Sequence, residues 1–294
     1  NVSLMPWLAL TTLLHCILVL EKKLILTSWV IILSITTFML SMCGTFLVRS
    51  GILNSVHTFA SDPERGLFIL IFLFSLIFLS LFIFFFFHKT NKNGLVNFFW
   101  LSKETSIIIN NWFMMYFLAV VLVGTVYPIF LEVITSEKIS VGPPYFNQLI
   151  FPLLIPFLLI MALGTKLEWI KSKKFGTKLK EIFILILSIL ISYLIVKHLN
   201  SKILYLTVLI SSALYLFFFS IIDLNNKKLK VSQKISHLAF SILIISIIFN
   251  GIFSKEFSVN LKIGEEKQLL DYNIKFEKIS KKEIDNYTSL KAEI

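Results

Sequence analysis

Long apolar stretches separated by short polar ones make up most of the chain. Eight of these stretches are long enough to cross roughly 30 Å of hydrocarbon as helices. The predicted spans are residues 4–20, 24–48, 66–87, 107–131, 147–165, 182–197, 203–222 and 235–253. Pro152 and Pro156 predict a kink in the fifth span, which membrane helices tolerate where neighbouring groups satisfy the freed carbonyls.

The end of the chain follows a different pattern. Apolar and polar residues alternate over residues 257–263 and 272–276, which predicts two β-strands. We therefore expect an all-α polytopic membrane protein of about eight transmembrane helices, with the start of an extramembrane β domain at the C-terminus. The expected domains are residues 1–253 and 254–294, with outer loops at 49–65, 132–146 and 198–202. The alternation of apolar and polar residues continues up to residue 294, so we expect the sequence to be a piece of a longer protein.

The composition supports a membrane protein, and the distribution of basic residues among the loops predicts how the spans are oriented. Apolar residues make up 56% of the chain and the mean hydropathy is +0.84. A net charge of +11 could attract nucleic acid, but the basic residues divide unevenly, fifteen in one alternate set of loops and five in the other. Lysine and arginine accumulate on the cytoplasmic or matrix side, so the first set is predicted to be inner. We expect no nucleic-acid partner.

Two of the five histidines lie inside apolar spans. His15 precedes Glu21, at the inner end of the first span, by six residues, and His237 follows Lys234, at the inner end of the last, by three. At 1.5 Å per residue both lie roughly 5–9 Å from the inner boundary. Ionisable groups in a bilayer are costly and indicate function. Two imidazoles at one depth suit axial ligation of a haem, and a proton relay or interhelical hydrogen bonds suit them too. The interfacial histidines, His88 and His198, are expected to be solvated.

A polar segment, GTFLVRSGILNSVHTFASDPERG at residues 44–66, interrupts the apolar pattern on the outer side. Its backbone and the side chain of His57 need water or protein around them. Asp62 is a predicted N-cap with Pro63 as the first helical residue. Arg49 and Arg65 flank the segment, where their guanidinium groups could hold carboxylates in bidentate fashion or anchor lipid headgroups.

This polar segment closely resembles the most diagnostic stretch of the CcmF/CycK/NrfE-type cytochrome c haem lyases, the membrane component of the System I maturation pathway. NVSLMPWLALTTLLH, GTVYPIF, KISVGPPYFNQLIFPLL and ISHLAFSILIISIIFNG resemble further parts of the same family. The resemblance implies the C-terminal portion of such a protein, without the tryptophan-rich segment that precedes it in the family.

The resemblance also implies roles for individual residues. His15 and His237 match the two transmembrane histidines that ligate a haem b through its iron. His57 matches one of two outer histidines proposed to ligate the iron of the haem being delivered, and so becomes the candidate catalytic residue. Arg49 and Arg65 are the candidates for the propionates of that haem. The other outer histidine lies before the tryptophan-rich segment, so an inactive fragment stays open as an alternative.

The implied activity is covalent attachment of haem, as substrate, to CxxCH apocytochrome c in the periplasm. Implied partners are a haem chaperone of the CcmE type, apocytochrome-handling proteins of the CcmH/CcmI type, apocytochrome c, membrane lipid and quinol. The expected location is the bacterial inner membrane, or the mitochondrial inner membrane if the gene is organellar. Two alternatives remain from the residues: a haem or solute transporter, and a bis-histidine electron carrier that oxidises quinol.

Overall fold

The computed structural model describes residues 2–23, 25–50, 63–89, 99–135, 139, 141–169, 179–199, 203–254, 259–269, 272–284 and 287–293. Eight long helices account for most of these residues: α1 Leu4–Lys23, α2 Thr27–Arg49, α3 Pro63–Phe87, α4 Lys103–Thr135, α5 Pro143–Gly164, α6 Leu179–His198, α7 Ile203–Leu224 and α8 Val231–Phe253. Each is long and apolar enough to cross a membrane. The predicted polytopic helical protein is therefore confirmed.

Most helix ends extend the predicted spans by a few residues, because polar residues complete the terminal turns. α4 begins at Lys103 rather than at 107, and α5 begins at Pro143 rather than at 147. α3 begins at Pro63, as the fixed φ of a first-turn proline predicts. Pro152 and Pro156 lie inside α5, which continues through both as one helix.

Helices α1 to α7 pack in a connected set. α1 contacts α2 and α4, α4 contacts α5, α5 contacts α7, α7 contacts α6, and α2 contacts α3. Small residues permit the close approaches. A Cβ placed on Gly124 of α4 would lie 2.9 Å from a ring carbon of Tyr145 in α5. Similarly, a Cβ on Gly164 of α5 would collide with the hydroxyl of Ser106 in α4.

Two short antiparallel hairpins follow the helices. β1 Glu266–Leu269 pairs with β2 Tyr272–Lys275, and β3 Lys278–Ile284 pairs with β4 Tyr287–Glu293. The strand predicted at 272–276 is therefore confirmed. The strand predicted at 257–263 is wrong over its described residues 259–263, which carry no strand. Gly264, at φ 86°, instead opens the first hairpin by donating to the carbonyl of Phe276 at 2.6 Å.

The chain divides into two compact units, Asn1–Ile245 and Ser246–Ile294. The first contains the seven connected helices and the first part of α8. The second contains the end of α8 and both hairpins. The division at 253/254, with its outer loops at 49–65, 132–146 and 198–202, stays a prediction.

Candidate functional sites

The two histidines inside the predicted spans interact with each other across two helices. His15 is on α1 and His237 is on α8, and both side chains are half-buried. His237 interacts electrostatically with His15, and also with Asp223 and Lys103. Two helices that are far apart in the sequence thus bring their imidazoles to one place inside the helical unit.

Ring contacts define the relative depth of the two histidines. Phe240 of α8 stacks on Trp7 of α1 with ring centroids 6.4 Å apart. At 1.5 Å per residue, His15 lies roughly 12 Å along α1 from Trp7, and His237 lies roughly 4.5 Å along α8 from Phe240. Side chains tilt toward the N-terminus of their helix. Trp7 and Phe240 tilt in the same way as the histidine on their own helix, so the tilt cancels, and the His15 ring lies roughly 7.5 Å farther than the His237 ring from the level of the Trp7–Phe240 stack.

The backbone of α8 stands off from the other helices around this site. Within residues 231–245, no Cα of α8 lies within 8 Å of a Cα in another described helix. Large side chains make the contacts instead. Phe240 meets Phe157 of α5 edge to face at 6.0 Å, in addition to its stack on Trp7. A flat aromatic group can enter between helices more easily where side chains, rather than backbones, make the contact.

Within the ranges that the structure describes, buried polar atoms without hydrogen-bond partners occur on both α1 and α4. The Nδ1 of His15 is buried and makes no hydrogen bond within the described residues. The Oδ1 atoms of Asn110 and Asn111, both on α4, are also buried and also lack a hydrogen-bond partner in the described part of the chain. The Nδ2 of Asn111 donates to Sγ of Cys16, 3.3 Å away. Cys16 is buried among apolar side chains and makes this one polar contact within the described residues.

A group of charged side chains lies near the histidine pair, where α4 begins and where α5 and α7 end. Lys166 forms an ion pair with Asp223, whose side chain is 6% exposed. The Lys166 ammonium also lies 5.1 Å from the ring centre of Phe219. Lys103 stands over Trp169 at 5.5 Å and interacts electrostatically with both Asp223 and His237. The charges are thus balanced where they are buried.

A second site lies at the opposite end of α1 and α2. Eight residues line an open cleft of about 400 Å³ there: Val2, Ser3, Pro6, Ser41, Gly44, Thr45, Val48 and Arg49. A Cβ on Gly44 would lie 2.7 Å from Cγ1 of Val2, so glycine permits the close approach of the two helices. The cleft has the size of a small-ligand pocket and presents hydroxyls and one guanidinium group.

Arg65 lies close to this cleft because α2 and α3 meet at their ends. A Cβ on Gly66 would lie 3.2 Å from Cα of Ser50. Gly66 follows Arg65 and Ser50 follows Arg49, so this approach brings the two arginines to neighbouring positions. Both side chains are exposed and both make polar or electrostatic interactions. The structure therefore brings Arg49 and Arg65 together at the end of the bundle opposite to the histidine pair.

The remaining histidines fall elsewhere. His57, the candidate catalytic residue, lies outside the described residues, and so does the predicted N-cap Asp62. His198 is the last residue of α6. His88 was expected to be solvated, but its Nε2 lies 2.9 Å from the hydroxyl of Ser28, and its ring stacks on Phe84 at 4.9 Å. These contacts form because α2 begins beside the point where α3 ends, and His88 stays partly exposed there.

The donor set of the histidine pair suits a metal only in a macrocycle. No group of three or more His, Cys, Asp or Glu side chains in the described part of the chain could hold a metal ion. Two imidazoles alone leave a bare ion with too few ligands. A porphyrin supplies four nitrogens, and two axial histidines complete six-coordinate iron. A haem fits this place for three reasons. Both imidazole rings are half-buried, the Nδ1 of His15 has no hydrogen-bond partner within the described residues, and the backbone of α8 lies away from the other described helices.

Sequence reasoning missed part of this site. Asn110 and Asn111 are two neighbouring polar residues within the fourth predicted span. Asp223 lies one residue beyond the predicted end of the seventh span. The signal was available, because a pair of carboxamides inside an apolar span is costly. Their partners could not be read from the sequence, since they depend on how α1, α4 and α7 pack.

No protein-family model matches this chain. It is 32% identical over 288 residues to the cytochrome c-type biogenesis protein CcmF of Escherichia coli, which covers 94% of this chain and 44% of that protein. It is 46% identical over 169 residues to the cytochrome c-type biogenesis protein CycK of Rhizobium meliloti, covering 58% of this chain and 25% of that protein.

One solved structure, described as cytochrome c heme lyase CcmF, has the same fold. The TM-score is 0.63 at 22% sequence identity, and the match covers 99% of this chain and 45% of that one. The chain thus spans between a quarter and about half of the length of the proteins that it matches.

Proposed function

Because the chain is of the CcmF/CycK/NrfE type of cytochrome c biogenesis protein, we propose that it forms part of a haem lyase. The proposed reaction attaches haem covalently to an apocytochrome c that carries a CxxCH motif. In each of two additions, a cysteine S–H adds across a vinyl C=C of the haem. A C–S bond and a C–H bond form, and the reaction needs no oxidant.

His15 and His237 would hold the iron of a haem b within the membrane. The electrostatic interaction between the two histidines supports this assignment, and so does the distance of the α8 backbone from its neighbours. That haem, when bound, supplies a one-electron redox centre at this depth. The protein provides the apolar surroundings through Trp7, Phe157 and Phe240.

The delivered haem is the substrate, and its proposed site is on the outer side. His57 holds the iron there until the histidine of the CxxCH motif replaces it. Arg49 and Arg65 bind the propionates, because guanidinium groups match carboxylates in bidentate geometry. Holding the vinyl carbons against the two thiols converts a random encounter into a productive geometry. No nucleophile of the lyase takes part, because the apocytochrome brings the sulfur.

The proposed partners follow from this reaction. Haem arrives from a chaperone of the CcmE type, and proteins of the CcmH/CcmI type present the apocytochrome. Quinol is the proposed electron donor from the lipid. A multi-pass protein with this activity belongs in the bacterial inner membrane, or in the inner membrane of a mitochondrion, with the polar segment at residues 44–66 facing outward.

The juxtaposition of His15 and His237 is the observation that carries this proposal. A chimera tests it in cells: residues 1–294 replace the aligned region of the Escherichia coli relative, in a strain that lacks its own copy. We expect covalent haem on a reporter cytochrome c. His57→Ala should abolish that haem while preserving the b-type absorbance of the chimera. Haem transport into proteoliposomes without any reporter haemylation would indicate a transporter instead. A b-type spectrum without dependence on apocytochrome would indicate an electron carrier.

A further inference from the structure

Two asparagines lie side by side in the membrane-spanning helix α4. Asn110 and Asn111 are 9% and 8% exposed. A buried carboxamide is costly in a bilayer unless its polar atoms are hydrogen-bonded. The Oδ1 atoms of both nonetheless lack a partner within the described residues. Neither residue has a part in the function proposed above, so these two acceptors require an explanation of their own.

His15 offers the complementary group. Its Nδ1 is buried, and it too makes no hydrogen bond within the described ranges. α1 packs against α4. The Nδ2 of Asn111 donates to Cys16, the residue next to His15, at 3.3 Å. The Asn111 carboxamide therefore lies beside this turn of α1 with its oxygen available.

An imidazole that ligates iron through one nitrogen carries a proton on the other. That proton needs an acceptor, which fixes the tautomer and the ring orientation and makes the ligand more basic. Around Cys16, α1 packs mainly on apolar groups, among them Leu33 and Met115. Among the polar side chains of α4, Asn111 is the one that the described contacts place beside this turn of α1.

We propose that Asn111 is a positioning residue: its Oδ1 accepts the Nδ1–H of His15 while that imidazole holds haem iron through Nε2. The inference rests on the haem site proposed above. Asn110 provides the matched control. By helical spacing it lies on the side of α4 that carries Phe113 and Phe117. Both of these rings meet Phe157 of α5, at 6.0 and 5.6 Å.

Haem titration of the purified chain in detergent tests the proposal, with a redox titration of the bound haem alongside. Asn111→Leu removes the acceptor. Loss of such an outer partner weakens binding roughly 10- to 100-fold, and we expect a loss of that size in haem affinity. The reduction potential should rise, because a less basic imidazole stabilises ferric iron less well. Asn110→Leu should leave both quantities at their native values.

Two further variants separate positioning from packing. Asn111→Asp keeps an oxygen acceptor but loses the donor to Cys16, and it should retain haem. Cys16→Ala removes the same contact from the other side and should also retain haem. The proposal is overturned if Asn111→Leu binds haem with native affinity and potential, or if Asn110→Leu or Cys16→Ala gives the same loss. Haem retained by His15→Ala would instead overturn the haem site itself.

Discussion

Ser28 and His88 are joined by a 2.9 Å hydrogen bond between the Ser28 hydroxyl and the His88 Nε2. The bond connects the first turn of α2 with the residue that follows α3. The opposite ends of the same two helices meet at Gly66 and Ser50. α3 is therefore held to α2 at both ends, although most of its phenylalanine side chains are exposed.

His88 provides a control for every experiment on the paired histidines. His88→Ala removes one hydrogen bond and should lower the free energy of unfolding by about 1 kcal/mol. Because His88 is held by Ser28 and Phe84 on α2 and α3, haem content should not change. Unfolding in detergent and the absorbance spectrum measure these two quantities. Loss of the pigment in this variant would mean that histidine substitutions affect haem through the fold alone.

Phe240 is expected to matter for the haem site beyond its contribution to packing. Phe240→Ala removes the stack on Trp7 and the edge contact with Phe157, which together should cost about 1–3 kcal/mol of stability. It also removes one wall of the space beside His237, so haem affinity should fall. Phe249→Ala is the control on the same helix, since Phe249 stacks only on the nearby Phe253 among the described rings. Equal haem affinity in the two variants would contradict this role.

The buried ion pair of Lys166 with Asp223 predicts an asymmetric mutational response. Asp223→Asn leaves the ammonium group without its buried counter-charge and should destabilise the protein by about 3–5 kcal/mol. A double variant with Lys166→Met and Asp223→Leu removes both charges and should recover most of that loss. Thermal unfolding of the three proteins measures the difference. Similar stability of the single and double variants would show that the pair contributes little.

Much of the fold could be predicted from the sequence, because long apolar runs constrain a membrane protein strongly. The eight helices and the first helical residue of α3 follow from hydropathy and from Pro63. The strand expected at 257–263 failed because alternation does not specify a partner strand. Gly264 opens the hairpin after it, and the ladder forms between β1 and β2.

The candidate site could be predicted only in part. Depth counting gave His15 and His237 a common level, whereas the Trp7–Phe240 contact leaves them roughly 7.5 Å apart in level, although they still interact electrostatically. Their role as iron ligands, and the roles of His57, Arg49 and Arg65, stay predictions. Asn111 and the pair formed by Lys166 and Asp223 were missed, because the partner of a polar residue within or just beyond an apolar span depends on how the helices pack, which the sequence pattern does not specify.

The outer cleft offers a test that leaves the paired histidines untouched. Gly44→Leu would place a side chain against Val2 and fill the cleft beside Arg49. We expect the chimera with this substitution to lose cytochrome c maturation and to keep its b-type absorbance. Gly251→Leu is the matched control, since a Cβ there meets nothing within 4 Å. Full maturation in the Gly44 variant would exclude the cleft from the delivery site.

The central claim is that His15 and His237 hold one haem between α1 and α8. The most direct test is the absorbance spectrum of the purified chain after haem loading, compared with His15→Ala, His237→Ala and His88→Ala. We predict a six-coordinate b-type spectrum in the native protein and in His88→Ala, and its loss in each of the other two. An unchanged six-coordinate spectrum in His15→Ala or His237→Ala would contradict the assignment.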